Sequence, residues 1–169
     1  MIIRCETGDD VEIAETALEG ANLAGLNLHR ALLENQSLRA ANLTESELRS
    51  ARLDGADFEA AELSHASLAA CSASNAKFIE AKLAGSMLRS GIFEKADFTK
   101  ANLQNAKVGH GRFAGAKFNG ADMRCEGLET ADLSNASYDA TTKWPPGFDP
   151  VLAGAVEVYY DGGGDELIA

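Results

Sequence analysis

The amino-acid sequence predicts an all-β solenoid, a rod in which short strands stack in coils of square cross-section. The first observation behind this prediction is that an apolar residue recurs at every fifth position from Leu18 to Tyr138. We call these 25 positions the centres; fifteen of them are Leu and six are Phe. The second is that 22 of the positions two places before a centre hold a small side chain. The third is that phenylalanine recurs at every fourth centre through the middle of the series.

A period of five fits neither a helix nor a flat strand. On an α-helix, side chains five positions apart are rotated by about 140°, so the apolar series would wind around the helix and bury nowhere. In a flat strand, an odd step would send successive centres to opposite faces. A bend in every repeat removes the conflict. The small, polar and apolar side chains then point in, out and in, and the last two positions turn a corner. Gly or Asn fills ten of the 25 final corner positions, which suits a turn with positive φ.

The spacing of the phenylalanines indicates how many repeats make one coil. Phe58, Phe78, Phe98 and Phe118 are separated by four repeats each, which predicts four pentapeptides per coil and one interior column of rings. Rings in such a column would lie about 4.8 Å apart, the spacing between strands, and could stack on each other. The 25 centres then make about six coils.

The regular pattern divides the chain into three parts. Residues 1–15 precede it, and Val11 and Ile13 flank a charged residue as in a strand, so we expect an N-terminal cap there. Residues 16–140 are predicted to form the solenoid without an insertion or a change of phase. Residues 141–169 are predicted to form a C-terminal cap.

The start of the C-terminal cap is apolar. Two adjacent prolines end the repeat because they cannot donate to a strand ladder. The last coil of a solenoid exposes an apolar cross-section and unpaired backbone groups. We therefore predict that Trp144 and Phe148 fold back over this end as a plug.

The rest of the cap predicts a short helix followed by a strand. Asp149 followed by Pro150 is typical of a helix N-cap and first helical residue, which predicts a short C-terminal helix through Val151–Ala155. Val156–Tyr160 is predicted to be a short strand, and the glycine-rich segment 161–164 a flexible tail.

The repeat itself resembles a known family. Its clearest copies are Ala41-Asn42-Leu43-Thr44-Glu45 and Ala101-Asn102-Leu103-Gln104-Asn105, and the pattern is similar to that of the pentapeptide repeat proteins. The resemblance implies a right-handed quadrilateral β-helix. It also implies possible functions, because some members bind type II topoisomerases such as gyrase, mimic DNA and protect against quinolones or toxins. Members of that group often dimerise through the C-terminal end, so the resemblance implies a homodimer in which Val156, Val158, Tyr159 and Tyr160 pair with a second copy. In the alternative, the plug of Trp144 and Phe148 ends the rod and the chain is a monomer.

The distribution of charge bears on the DNA-mimic interpretation. The net charge is −11, but each terminal segment, 1–15 and 141–169, carries −4. Segment 63–120 contains eight basic and three acidic side chains, so the rod has a basic middle, whereas a mimic of the phosphate backbone should be acidic along its length. The acids that such a mimic would use for partner binding are Asp54, Asp57, Glu59 and Glu62.

No residue pattern predicts a catalytic, cofactor or metal site. His29, His65 and His110 fall on corners of different coils. Cys125 is expected on an outward corner in the column of His65, roughly 14 Å away by strand spacing, which is too far for a shared zinc ion. The first residues lack the pattern of a signal peptide, and no apolar run approaches the roughly 20 residues of a membrane span, so we expect a cytoplasmic protein without a membrane partner.

These observations favour a non-catalytic protein-interaction or scaffold module. Its partner is expected to be another protein, without direct binding of nucleic acid. The alternative is a DNA mimic that binds a type II topoisomerase and confers resistance to quinolones or toxins.

Overall fold

Parallel β-bridges between equivalent positions of successive coils build the molecule. The computed structural model describes residues 1–160 and 166–168. On each of four sides, a bridge joins one coil to the next, as in Asn22 to Asn42 and Asn42 to Glu62. The prediction of four pentapeptides per coil is therefore confirmed. The longer elements lie near the two ends of the chain: strands β1 (Ile2–Ile3), β2 (Val11–Glu12), β3 (Ser137–Tyr138), β4 (Val156–Tyr160) and β5 (Glu166–Ile168), and one 3-10 helix (Leu128–Thr130).

Apolar side chains fill the interior of the rod. Phe58, Phe78, Phe98 and Phe118 form one column, with ring centroids 5.0, 4.8 and 5.4 Å apart and nearly parallel planes. Phe93 and Phe113 form a second column that meets the first edge-on. The small residue two places before each centre leaves room for these rings, because the four sides converge on a narrow interior.

A regular repeat in the middle of the rod uses four of its five amide groups in backbone hydrogen bonds. In the repeat Asn42–Ser46, two amides donate along the ladder, that of Asn42 to the carbonyl of Ala21 and that of Leu43 to the carbonyl of Glu62. At the corner, the amide of Glu45 donates to Ser64 of the next coil, and the amide of Ser46 donates back to Leu43. The fifth amide, that of Thr44, donates to the Oδ1 of Asn42 over 3.1 Å. A side chain thus satisfies the amide that the ladder leaves over.

This fifth bond explains why Asn or Asp so often precedes a centre. Asp57 accepts from the amide of Glu59 over 3.0 Å, and Asp97 accepts from the amide of Thr99 over 2.9 Å. A short polar side chain reaches the amide two places later easily, as in an Asx turn, and the longer side chain of Glu47 makes the same bond to the amide of Arg49 over 3.0 Å. The sequence pattern predicts that the residue before a centre is polar and faces outward, but it does not predict this hydrogen bond.

The last residue of each regular corner has a left-handed backbone. Every fifth residue from Gly20 to Gly120 has positive φ, and most of these residues are not glycine. A left-handed conformation costs a residue with a Cβ roughly 1–2 kcal/mol. The ladder therefore holds many residues in a conformation that they would not adopt alone.

One corner near the C-terminal end departs from the repeat. Neither Cys125 nor Thr130 has positive φ, and Lys107 bridges to Glu126 instead of to Gly127, one position short of a full coil. The predicted absence of a change of phase is therefore wrong. The chain loses one position at the corner after Asp122, and the 3-10 helix restores it before the next bridge.

The slip changes the environment of neighbouring residues. Cys125 points inward and is buried, so its expected place on an outward corner is also wrong. At most regular corners the amide of the last residue donates to a carbonyl of the next coil, but the amide of His110 donates to the hydroxyl of Thr130 over 3.1 Å. That hydroxyl in turn donates to the carbonyl of Gly127 over 3.0 Å, so one side chain repairs the interrupted ladder.

The N-terminal residues cover the first coil. Strands β1 and β2 pair antiparallel, and Cys5 bridges to Ala31. Ile3 and Ile13 are buried against the solenoid.

An aromatic cluster covers the other end. The ring of Trp144 lies 5.5 Å from Tyr138 and 6.2 Å from Phe118, and Phe148 packs on Trp144 at 5.4 Å. The boundaries predicted between the solenoid and its two caps, at residues 15/16 and 140/141, stay predictions.

The predicted helix through Val151–Ala155 is wrong, because this segment forms hydrogen-bonded turns. Asp149 does cap the first turn, and its Oδ1 accepts from the amides of Val151 and Leu152 over 3.0 and 3.1 Å. Gly154 has φ of 93° and ends the turns, so that β4 can pair parallel with β3 and continue one side of the rod. Segment 161–164 lies outside the described residues.

The left-handed corners predict that glycine is stabilising at one position of a corner and destabilising at its neighbour. Ala70 has φ of 54°, whereas Ala69 before it is not among the residues with positive φ. We expect Ala70→Gly to raise the free energy of unfolding by roughly 0.5–1 kcal/mol, because the relief of strain exceeds the added chain entropy. Ala69→Gly should lower it by a similar amount. Urea unfolding followed by circular dichroism measures both, and equal effects of the two variants would contradict the prediction.

The repaired corner predicts a local effect of Thr130→Val. The variant removes the acceptor of the His110 amide, and we expect faster hydrogen exchange at His110 and a loss of about 0.5–1.5 kcal/mol of stability. Thr44→Val is the control, since the amide at its corner donates to a backbone carbonyl. Unchanged exchange at His110 would show that Thr130 does not repair the ladder.

Candidate protein-docking side

The outward residues of the bridges define four sides of the rod. Side 1 begins at Asn22, side 2 at Asn27, side 3 at Leu32 and side 4 at Ser37. The outward residues of side 2 are Asn27, Glu47, Ser67, Met87, Lys107 and Glu126. We call the two residues that follow each centre on side 2 the side 2 corner; they include Arg49, Arg89 and His110.

Ion pairs between neighbouring coils use most of the charge on the other three sides. Lys82 pairs with Glu62 on side 1 at 2.5 Å, and Lys77 pairs with Asp57 on side 4 at 3.6 Å. Further pairs join Arg52 to Glu34, Arg112 to Glu94, Lys100 to Glu80 and Arg39 to Glu59. Each such pair contributes little to stability, but it occupies charges that a partner could otherwise use.

The four acids predicted as possible partner-binding residues do not form one surface. They follow one coil around the rod, from the corner before side 4 to side 1. Three of them are ion-paired, and Asp54 accepts from the hydroxyl of Ser72 over 2.7 Å and from the amide of Ser74 over 2.8 Å. The hydrogen bond from Arg39 holds the pKa of Glu59 below its usual range, so this pair is charged at neutral pH.

Side 2 differs because its charged residues make no such pairs. Within residues 1–160 and 166–168, no outward residue of side 2 takes part in a salt bridge. On the side 2 corner, Arg30 pairs with Glu6 of the N-terminal segment, but Arg49 and Arg89 pair with no carboxylate in that part of the chain. Composition and net charge do not reveal this side, because pairing depends on which side chains stack 18 or 20 positions apart.

The middle of side 2 also exposes an apolar side chain. Met87 is 38% exposed and is the one large hydrophobic residue between positions 16 and 140 that is exposed. Arg89 lies beside it on the corner and Lys107 lies one coil further on. No acid lies on side 2 between Glu47 and Glu126, so this stretch is cationic with an apolar centre.

The irregular corner forms a hollow at the C-terminal end of side 2. It has a volume of about 380 Å³ and is lined by Arg89, Gly109, His110, Glu126, Gly127, Glu129 and Thr130. A Cβ on Gly127 would lie 2.7 Å from the amide nitrogen of Gly109, so the two backbones approach closely and form the floor of the hollow. The sequence signal for it was Glu126, a charged residue at a position where 22 of the 25 repeats have a small one.

The remaining candidate groups do not assemble into a reactive site. Burial raises the pKa of the Cys125 thiol to about 12 and raises that of Cys71 well above its usual range, so both are protonated thiols at neutral pH. No group of three His, Cys, Asp or Glu residues in the described part of the chain could hold a metal ion. None of the helices described there is long and apolar enough to cross a membrane.

Solved structures share this fold. HetL, a pentapeptide repeat protein involved in the regulation of heterocyst differentiation in the cyanobacterium Nostoc sp. strain PCC 7120, is 25% identical with a TM-score of 0.58. The match covers 81% of this chain and 66% of HetL, so the chain spans less than two thirds of that relative. A trypsin-treated variant of QnrB1, a plasmid-mediated fluoroquinolone resistance protein, is 13% identical with a TM-score of 0.53, over 80% of this chain and 87% of its own. That likeness shows the fold alone.

Family models match the repeats directly. A model of the pentapeptide repeat region matches residues 41–118, and a model of eight pentapeptide repeats matches residues 16–55. No curated protein matches the sequence. The two family matches together span residues 16–118, and the chain therefore belongs to the pentapeptide repeat family of right-handed quadrilateral β-helices.

Proposed function

We propose that the protein is a non-catalytic scaffold that binds another protein through side 2 and its corner. The observation that carries the proposal is the unpaired charge of this side, in contrast to the ion pairs on the other three. A partner can engage Arg89 and Lys107 without first breaking an ion pair on the rod.

The composition of side 2 supports a partner with an acidic surface. Met and Arg are enriched at the centres of protein interfaces, where an apolar contact excludes water around a charged one. Met87 beside Arg89 and Lys107 provides this combination on a flat surface. Because the whole chain carries −11, the local positive charge would favour one orientation of an acidic partner over others.

The absence of catalysis is part of the proposal. The buried cysteines are poor nucleophiles at neutral pH, since the thiolate is the reactive form. His29, His65 and His110 lie on corners of different coils, so no two of them share a general-base arrangement.

The alternative is that the protein binds a type II topoisomerase as a DNA mimic. The fold it shares with QnrB1 motivates this alternative, but three of the four acids that would mimic phosphates are ion-paired to lysines and arginines of neighbouring coils, and Asp54 is hydrogen-bonded to Ser72 and Ser74. A gyrase supercoiling assay with and without quinolone separates the two proposals. Inhibition at micromolar protein that is lost when Asp54, Asp57, Glu59 and Glu62 are reversed in charge would favour the mimic.

We also propose a homodimer through the C-terminal end. Val151 and Leu152 are 61% and 87% exposed, and Tyr159 is half exposed, so this end presents apolar side chains to solvent. We expect the double variant Val151→Asp, Leu152→Asp to convert a dimer to a monomer by light scattering. A wild-type chain that is already monomeric at high micromolar concentration would disprove the dimer.

Site-specific crosslinking tests the docking side. A photoreactive benzoylphenylalanine at position 87 should capture one partner in cells of the source organism, whereas the same group at position 117 should not, because Lys117 lies on side 4.

Charge reversal provides the second arm of that test. Arg89→Glu with Lys107→Glu should abolish capture at position 87. Lys117→Glu should leave it intact, since Lys117 is exposed and forms no salt bridge in the described part of the chain. Equal capture from positions 87 and 117, or capture that survives the double reversal, would refute docking on side 2.

A further inference from the structure

We propose that the hollow at the irregular corner is a binding site for a free basic amino acid, with arginine as the best fit. The proposal does not depend on the protein partner of side 2. It rests on the charges that line the hollow, on their lack of mutual pairing and on the backbone that forms its floor.

The charges of the hollow define the chemistry of the ligand. Arg89 contributes one positive charge, and Glu126 and Glu129 contribute two negative charges. Arginine carries the complement, with one negative carboxylate and two positive groups, the α-ammonium and the guanidinium. The carboxylate can accept two parallel hydrogen bonds from Arg89, and a glutamate can accept two from the ligand's guanidinium.

These charges have not neutralised each other. On side 3, two arginines pair with a glutamate of the preceding coil, Arg52 with Glu34 and Arg112 with Glu94. Among the described residues, no salt bridge joins Arg89 to Glu126 or Glu129, although all three line one hollow. A ligand that carries both signs can therefore bind without displacing an internal ion pair.

The spacing along the rod matches an extended ligand. Arg89 lies on the coil before that of Gly109, and Glu129 lies in the 3-10 helix on the coil after it, so two strand spacings, or roughly 9–10 Å, separate their levels. An extended arginine spans part of this distance between its α-carboxylate and its guanidinium. The side chains of Arg89 and Glu129 are long enough to span the remainder.

The floor of the hollow depends on two glycines. A side chain at Gly127 would collide with the backbone of Gly109, and one at Gly109 would come within 3.3 Å of the Thr130 hydroxyl. At the preceding levels the corner of side 2 has its regular two-residue turn, whereas here the position lost after Asp122 is restored by the 3-10 helix Leu128–Thr130, which lines this space. A volume of about 380 Å³ admits one amino acid.

The test is titration of the full-length chain with L-arginine, followed by amide NMR shifts and calorimetry. We expect saturable shifts at Gly109, His110, Gly127 and Thr130, with L-lysine binding more weakly. Agmatine lacks the carboxylate and norvaline lacks the side-chain charge, so each should bind at least roughly tenfold more weakly. A tripeptide ending in arginine has lost the α-ammonium and should also bind more weakly; tighter binding of the tripeptide would overturn the assignment to a free amino acid.

Two variants and a control locate the binding. Arg89→Gln and Glu129→Gln each remove one charge without changing the backbone and should each reduce affinity roughly tenfold. Arg49→Gln removes an unpaired arginine of the same corner outside the hollow and should leave affinity unchanged. No saturable shift up to tens of millimolar arginine, or equal affinity in all three variants, would overturn the proposal. Neither result bears on docking at side 2, which is measured by crosslinking at position 87.

Discussion

The hydrogen bonds between coils are the constraint on which the rest of the structure depends. Each repeat donates from its polar residue to one coil and from its centre to the other, as Asn42 does to Ala21 and Leu43 to Glu62. These bonds hold the corners in left-handed conformations that cost free energy at every residue other than glycine. They also stack equivalent side chains directly over each other. Rings of Phe78 and Phe98 therefore meet at 4.8 Å in the core, while Lys77 meets Asp57 on the surface.

The same constraint decides which charges are available for binding. Because equivalent positions of successive coils stack, the ion pairs between neighbouring coils join acids and bases that lie 18 or 20 positions apart in the sequence. Sides 1, 3 and 4 each have at least one such pair, and no outward residue of side 2 in the described part of the chain forms one. The surface that remains for recognition is thus the one on which stacked side chains of successive coils form no ion pairs. Composition and net charge do not reveal this property.

The sequence was sufficient to predict the core but not the irregular corner. The centres and the small residues before them report burial directly, so the square coils and the phenylalanine column could be predicted from spacing alone. The shift of one residue at the corner of Cys125 could not be predicted, because the centres Met123, Leu128 and Leu133 keep their spacing of five across it. Glu126 was the one sign of it. The turns at 150–154 were also missed, because Asp149 and Pro150 have the local preferences of a helix start, whereas β4 must return to pair with β3.

The fixed length of a coil also sets the distance between the two ends of the rod. The hollow lies on the side 2 corner beside Arg89 and His110, and the parallel bridges between Asn22 and Asp122 all join positions 20 residues apart. Removing or adding one whole coil in that interval would move the two ends by one strand spacing, about 4.8 Å, and return every side chain to its own side. A change by any fraction of a coil would rotate the hollow around the axis. Insertions and deletions that keep each side chain on its side of the rod must therefore comprise whole coils. Related rods that present the same corner should differ in length by whole coils.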